Sequence, residues 1–155
     1  MSHDHPDLTE LRALAQACLD ADGGLPLLTD DGLLRARLRS GETHEVRDGD
    51  GVLVAAAAVT VREDGAATSG LVHPDHRGQG HGRALLGWAV ERAGGVPLTV
   101  TCEDVNPSAE RLYARFGLER TFAEAVMRHP LGSVPDVPVP AGTTLVPVAQ
   151  ARLGD

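Results

Sequence analysis

A glycine-rich loop between a strand-like run and a helix-like run constrains this fold more than any other segment. Residues 77–82 read Arg-Gly-Gln-Gly-His-Gly, follow the apolar run 70–74 and lead into the apolar segment 83–88. Glycines let backbone N–H groups turn toward an anion, and the N-terminus of the next helix adds roughly half a positive charge. The junction therefore predicts a phosphate site between a strand and a helix.

The spacing of this loop separates it from two common nucleotide motifs. It lacks the Gly-Lys-Ser/Thr ending of a P-loop, and its first glycine is misplaced for the Gly-x-Gly-x-x-Gly dinucleotide fingerprint. It reads Arg-x-x-Gly-x-Gly, and in this it resembles the acyl-CoA loop of the GCN5-related N-acetyltransferase (GNAT) family. In that family the loop amides hold the pyrophosphate of coenzyme A. The alternative is a glycine-rich turn that binds nothing.

A second segment, residues 106–118, reads as a short capped helix. Asn106 is a favoured N-cap, Pro107 suits the first helical position, and Gly117 can end the helix in the left-handed conformation. The segment is similar to the family pattern Asn-x-x-Ala-x-x-Leu-Tyr-x-x-x-Gly-Phe, with Leu118 in place of the usual Phe. The resemblance implies that Asn106 bonds the pantetheine arm and that Tyr113 protonates the departing thiolate. The alternatives are a simple cap and an ordinary core tyrosine.

The resemblance implies acetyl-CoA as co-substrate and a set of residues that bind it. The pantetheine and thioester would lie against main-chain groups at the splayed end of the strand before the loop, and the pyrophosphate on the loop itself. The predicted cofactor-binding residues are Leu71, Val72, His73, Arg77, Gly78, Gln79, Gly80, His81, Gly82, Arg83, Asn106 and Ser108.

The general base is the least defined part of the implied reaction, in which an amine attacks the thioester directly. Segment 66–69 offers no carboxylate where many relatives carry one. Glu103 and Asp104 are the available acids, His73 is a third choice, and a chain of water molecules is a fourth. Covalent catalysis through Cys102 is disfavoured because nothing beside it in sequence lowers its pKa. The predicted catalytic residues are Tyr113 and Glu103.

Apolar periodicity predicts an α+β fold with a mixed, mostly antiparallel central sheet flanked by helices, in the order ααβββαβαββ. This order matches the acetyltransferase fold over residues 7–128, but the family's first strand, which should precede the first helix, is missing. The predicted helices cover 7–20, 30–38, 80–93 and a segment from 106, and the predicted strands cover 44–47, 52–61, 66–73, 97–102, 118–122 and 123–128.

The C-terminal residues suggest where the missing strand could come from. Residues 130–142 carry four prolines and read as an extended linker, and residues 143–148 look like an extra strand. This strand could fill the vacant sheet edge in its own chain, or in a neighbour as a strand-exchanged homodimer. We therefore divide the chain into an acetyltransferase domain, 1–129, and a linker with an edge strand, 130–155.

The tail also resembles the start of a second acetyltransferase repeat. The layout is similar to the N-terminal half of the mycothiol synthases, a two-repeat branch of the same family. In that branch we would expect a degenerate tyrosine segment in the N-terminal repeat, whereas here the segment is intact. The chain would then be part of a tandem-repeat protein.

Composition narrows the partners. A formal charge of −8 argues against nucleic acid, and no run approaches the ~20 apolar residues of a membrane helix. The polar N-terminus does not resemble a signal peptide, so we expect a cytoplasmic protein. Cys18 and Cys102 are predicted to be reduced core thiols, and the histidines lack a metal-ligand spacing, so no metal is expected.

Two function classes remain. The first is an acetyl-CoA-dependent N-acetyltransferase that acts on an amine of a small molecule or peptide. The second is a non-catalytic acyl-CoA-binding module that stabilises or regulates a partner domain. The intact Asn106 and Tyr113 favour the enzyme, and the missing carboxylate and the repeat-like tail favour the module.

Overall fold

The computed structural model describes residues 7–24, 26–103, 105–124, 132–133, 138–144 and 146. The chain divides into two compact units, Met1–Ala123 and Glu124–Asp155. All helices and strands of the described residues belong to the first unit, and the described residues of the second unit form neither. The boundary at residue 129 between an acetyltransferase domain and a linker with an edge strand stays a prediction.

The described residues of the first unit form four α-helices, four strands and two short 3₁₀ turns. In chain order they are α1 (Leu8–Asp22), a turn (Pro26–Thr29), α2 (Asp31–Leu38), β1 (Glu42–Arg47), β2 (Leu53–Arg62), β3 (Gly65–Val72), a turn (Pro74–His76), α3 (His81–Ala93), β4 (Leu98–Val100) and α4 (Pro107–Arg115).

Side-chain caps fix where three of these helices begin. The carboxylate of Asp7 accepts the Thr9 N–H at 3.3 Å, and that of Asp30 accepts the Leu33 N–H at 3.0 Å. Asn106 caps α4 in the same way. Each cap satisfies backbone donors that the first helical turn leaves unpaired, so the sequence predicts these starts to within one residue.

The sheet has the order β1-β2-β3-β4, with antiparallel pairing among the first three strands and parallel pairing of β3 with β4. Helices α1 and α2 pack on one face and α3 packs on the other. β2 is buried throughout Leu53–Val59 because both of its faces are covered. The predicted α+β class with a mixed, mostly antiparallel sheet is confirmed.

The predicted final hairpin is not formed by the residues that the structure describes. Residues 118–124 are not in a strand, and Phe122 is 76% exposed. A strand needs a hydrogen-bonded neighbour and a face to bury, and the described residues supply neither for this segment. Residues 125–128 lie outside the described part, as do Leu145, Pro147 and Val148 of the predicted extra strand, whose Thr143, Thr144 and Val146 are not in a strand.

Truncation of Leu11 should destabilise the fold strongly. Its side chain is 0% exposed in the cluster that joins α1, α2 and β2. Leu11→Ala should lower the free energy of unfolding by about 2–5 kcal/mol, because the lost methyl groups leave a cavity. Val52→Ala, at a side chain that is 57% exposed, is the control and should change it by less than about 0.5 kcal/mol. Equal losses in denaturant titrations would contradict this assignment of the core.

Candidate active site

The candidate site forms where β3 and β4 separate. Their pairing ends at Thr68–Val100, with one more bond from the Thr101 N–H to the Thr68 carbonyl at 3.2 Å, whereas β3 continues to Val72. Backbone groups alternate sides along a strand. The backbone groups of Thr68 face β4. Because every second residue faces the same side, the backbone groups of Gly70 and Val72 face the gap. An extended ligand that carries amides can bond them there.

The same alternation selects among the three strand residues predicted from sequence. The His73 N–H donates to the Val54 carbonyl at 2.8 Å, so the backbone groups of His73 and of Leu71 face β2. The Val72 carbonyl accepts from the Arg77 Nε at 3.2 Å and from the Cys18 Sγ at 3.4 Å. The Val72 N–H faces the gap, where it can serve as a main-chain donor to a ligand.

The glycine loop turns the chain from β3 into α3. Gly78 has φ +76° and Gly80 has φ +94°, backbone conformations that residues other than glycine rarely adopt. Gly80 is the N-cap of α3 and contributes no side-chain cap, so within the described residues the first N–H groups of α3 have no side-chain acceptor. Such an uncapped N-terminus attracts anions, as the sequence predicts for this loop.

A cleft of about 610 Å³ runs along the gap and the loop. Its walls are α1, the end of β3, the glycine loop, the first turn of α3, the residues after β4, and α4. The residues predicted from sequence that line this cleft are Leu71, Val72, Arg77, Gly78, Gly80, His81, Gly82, Arg83, Glu103, Asn106, Ser108 and Tyr113.

Two predicted residues, His73 and Gln79, do not line the cleft, and both bond Asp75. The His73 Nδ1 accepts the Asp75 N–H at 3.3 Å, and its ring packs edge-on against His76. The Gln79 Nε2 donates to the Asp75 carbonyl at 3.5 Å. His73 is therefore a poor choice of general base. Asp104, the alternative acid beside Glu103, lies outside the described residues.

Asn106 caps α4 and also faces the cleft. Its Oδ1 accepts the N–H groups of Ser108 and Ala109, both at 3.0 Å. The predicted capping role is confirmed. Because the cap uses the side-chain oxygen, the Nδ2 amino group remains a donor for a ligand carbonyl. The pantetheine contact stays a prediction.

Tyr113 lies half-buried in the cleft with its hydroxyl hydrogen-bonded to the Cys102 thiol. Burial raises the pKa of Tyr113 above its ordinary value, and the neighbouring Cys102 raises it further. The hydroxyl therefore keeps its proton at neutral pH and can donate it. Cys102 is exposed, so its prediction as a core thiol is wrong; β4 ends at Val100, before it reaches Cys102.

The Arg77 guanidinium is held by the carboxylate of Asp22. Its Nη1 and Nη2 donate to the two carboxylate oxygens of Asp22, each at 2.7 Å. Hydrogen bonding to Asp22 raises the pKa of Arg77. Cys18 is buried as predicted, and burial raises the pKa of its thiol, which stays protonated as a donor to Val72. Neither Asp22 nor Cys18 is marked as a site residue by any sequence signal.

The cleft is rich in cations although the chain is acidic. The formal charge of the chain is −8, yet four arginines and two acids are among the described residues that line the cleft. The local field therefore favours a polyanion. Two of these arginines, Arg111 and Arg115, are exposed residues of α4 that no sequence motif marks as part of the site. The charged lining residues are Asp22, Arg77, Arg83, Glu103, Arg111 and Arg115.

The described ranges contain no group of three or more histidines, cysteines or acids that could hold a metal ion. None of the helices described is long and apolar enough to cross a bilayer.

Comparison with known proteins agrees with the geometry. The model of the acetyltransferase (GNAT) domain matches residues 40–120. The chain belongs to the GNAT family. It is 39% identical to a mycothiol acetyltransferase of Thermomonospora curvata, covering 90% of this chain and 48% of the relative. It is 38% identical to the one of Kineococcus radiotolerans, covering 83% and 44%. The chain thus spans about half the length of these curated relatives, as the resemblance to half of a two-repeat protein predicts.

Solved structures show the same fold. A GCN5-related N-acetyltransferase from Sphaerobacter thermophilus aligns with a TM-score of 0.58 at 27% identity, over 72% of this chain and 41% of its own. A phosphinothricin acetyltransferase from Sinorhizobium meliloti, solved in complex with AcCoA, aligns with a TM-score of 0.53 at 16% identity, over 73% and 71%. The second likeness concerns the fold alone.

Substitution of Gly80 tests the anion site against a matched glycine. Gly80 and Gly95 have φ +94° and +93°, and a Cβ added at either meets nothing within 4 Å. Val at either position carries similar backbone strain, but only Gly80 lies in the cleft. Gly80→Val should abolish acetyl-CoA binding in calorimetric titration while Gly95→Val retains it. If both variants bound equally, the loop would not be the phosphate site.

Proposed function

We propose that this chain is an acetyl-CoA-dependent N-acetyltransferase domain that transfers an acetyl group to an amine by direct attack. One observation carries the proposal: the uncapped glycine N-terminus of α3, the gap beside Val72 and the Tyr113 hydroxyl all lie on one cleft. Membership of the GNAT family supports the same activity.

The cleft offers groups for the pyrophosphate and for the pantetheine arm of acetyl-CoA. The N–H groups at the start of α3 and in the loop would hold the pyrophosphate, with Arg83 beside them. The pantetheine arm would lie along the gap, bonded by the backbone groups of Gly70 and by the Nδ2 of Asn106. Gly82 lies on the wall of the same cleft, and a Cβ added there would make ordinary van der Waals contacts, 3.4 Å from Leu112 Cδ2 and 3.9 Å from Val72 Cγ2.

The proposed reaction forms a carbon–nitrogen bond and breaks a carbon–sulfur bond. The Val72 N–H polarises the thioester carbonyl while the amine nitrogen attacks it. Glu103, half-buried on the cleft wall, takes the proton from the amine directly or through water. Tyr113 donates to the departing sulfur and supplies the proton of the free thiol.

For the acceptor, we propose a small-molecule amine of the mycothiol type, because the relatives described above are mycothiol acetyltransferases. The wall formed by α1 and the following 3₁₀ turn would receive it through Ala15, Leu19, Pro26 and Leu28. An amine on a peptide is the competing acceptor. Cys18 and Cys102 are not joined in a disulfide, which fits a reducing compartment, and we propose that the protein acts in the cytoplasm.

A screen for thiol release tests the activity. Acetyl-CoA is incubated with the chain and with a panel of small amines and peptides, and free coenzyme A is measured beside direct acetyl-CoA binding. Release with a small amine supports the proposal. Binding without release under every acceptor would instead support the non-catalytic acyl-CoA-binding module.

Tyr113→Phe tests the acid. The substitution keeps the ring and its packing but removes the donor that meets the thiolate. General acids typically contribute ~10²- to 10⁴-fold, so turnover should fall within that range while acetyl-CoA affinity changes little. Turnover and calorimetric affinity are measured on the same preparation. Turnover at the unaltered rate would move proton donation to water or the main chain, and loss of binding would make Tyr113 a binding residue.

Removal of the tail tests the proposed edge strand and homodimer. We propose that residues 143–148 pair with a sheet edge, in the same chain or in a partner copy. The chain ending at Arg128 should then melt at a lower temperature or lose the mass of a dimer in light scattering. Unchanged melting temperature and mass would show that the tail contributes neither, and would favour its assignment to a second repeat.

A further inference from the structure

One guanidinium joins three separate parts of the cleft wall. The Nη1 and Nη2 of Arg77 donate to Asp22, near the C-terminus of α1, at 2.7 Å each. Its Nε donates to the carbonyl of Val72, the last residue of β3, at 3.2 Å. Arg77 itself lies directly before Gly78 of the loop. The planar fork therefore links α1, β3 and the loop through one rigid group.

The link acts on the backbone that would hold the cofactor. Fixing the Val72 carbonyl fixes its peptide plane and with it the direction of the neighbouring main chain. The Cys18 thiol, protonated because burial raises its pKa, donates to the same carbonyl at 3.4 Å from α1. Arg77 at the start of the loop and Val72 at the end of β3 are thereby held at a set separation.

We propose that Asp22 is a positioning residue for acetyl-CoA binding and acts through Arg77, which is not itself a ligand of the cofactor phosphates. The inference rests on the proposed function. Asp22 neutralises the guanidinium and fixes its plane, so that the Nε meets Val72 and the loop starts in the binding conformation. The side chains of Arg77 and Asp22 are 34% and 24% exposed, so both groups are partly shielded from water.

The competing role for Arg77, a direct contact with phosphate, predicts a different response to loss of Asp22. A guanidinium released from its carboxylate would be free to meet an anion, and binding would stay unchanged or become tighter. A guanidinium that works by positioning loses its orientation when the carboxylate is removed, and binding becomes weaker. Asp22→Asn is nearly isosteric, so it separates the two roles without a change in size.

The experiment is a double-mutant cycle on the full chain, read by calorimetric titration with acetyl-CoA. We expect Asp22→Asn and Arg77→Lys each to weaken binding roughly 10- to 100-fold, as small displacements of a binding group do. Lys keeps the charge but cannot make the fork and the Nε bond together. The double variant should bind within about threefold of the weaker single variant, because both changes break one linkage.

Arg92→Gln is the matched control. Arg92 and Glu42 form another ion pair between elements, 2.9 Å long, and neither residue lines the cleft. It should leave acetyl-CoA affinity unchanged. Thermal melts of all variants give the folded fraction at the titration temperature, because reversible unfolding weakens the apparent affinity in proportion to that fraction.

The outcomes separate the two proposals. Suppose that the unaltered chain binds acetyl-CoA and that Asp22→Asn binds it with the same affinity. This result, whatever the melting temperature of the variant, would overturn the positioning role alone. The same holds if Arg77→Lys binds as the unaltered chain does, or if the two losses multiply in the double variant. Failure of the unaltered chain to bind acetyl-CoA would overturn the proposed function and the positioning role with it.

Discussion

The site depends on the early end of the pairing between β3 and β4. The three-residue β4 pairs only as far as Thr68–Val100, so the edge of β3 beyond that point faces a gap with its backbone groups. Backbone amides of this kind need partners, and water or an extended ligand must supply them where a strand does not. The same strand leads through the turn Pro74–His76 into the glycine loop, so the gap for an amide-bearing arm adjoins the phosphate site.

Charge acts on this geometry in two ways. Arg77 and Asp22 neutralise each other, so in our proposal the pair orients the cleft wall and does not attract the ligand by its charge. Among the other described residues that line the cleft, three are arginines, Arg83, Arg111 and Arg115, and one is an acid, Glu103. An acidic protein thus carries a locally positive cleft, which raises the local concentration of a polyanion while the rest of the surface repels it.

Local signals explain what the sequence could predict. The caps at Asp7, Asp30 and Asn106 and the glycine loop depend on residues within a few positions of each other, so their structure can be derived from the chain alone. Asp22 and Arg77 are 55 residues apart, and no pattern near either points to the other. The strand predicted at 118–122 has suitable residues, but strand formation depends on a neighbour that no local pattern specifies.

The proton chemistry of the proposed reaction follows from the burial of Tyr113. A tyrosine ordinarily titrates near pH 10 and a thiol near 8.5, so proton transfer to a full thiolate is uphill by about 2 kcal/mol. Burial raises the pKa of Tyr113 and increases that cost. Proton transfer must therefore come late, after carbon–sulfur cleavage, and be completed when the proton released by the amine returns to Tyr113. Until then the hydroxyl stabilises the sulfur by a hydrogen bond, for which the incoming sulfur must displace Cys102.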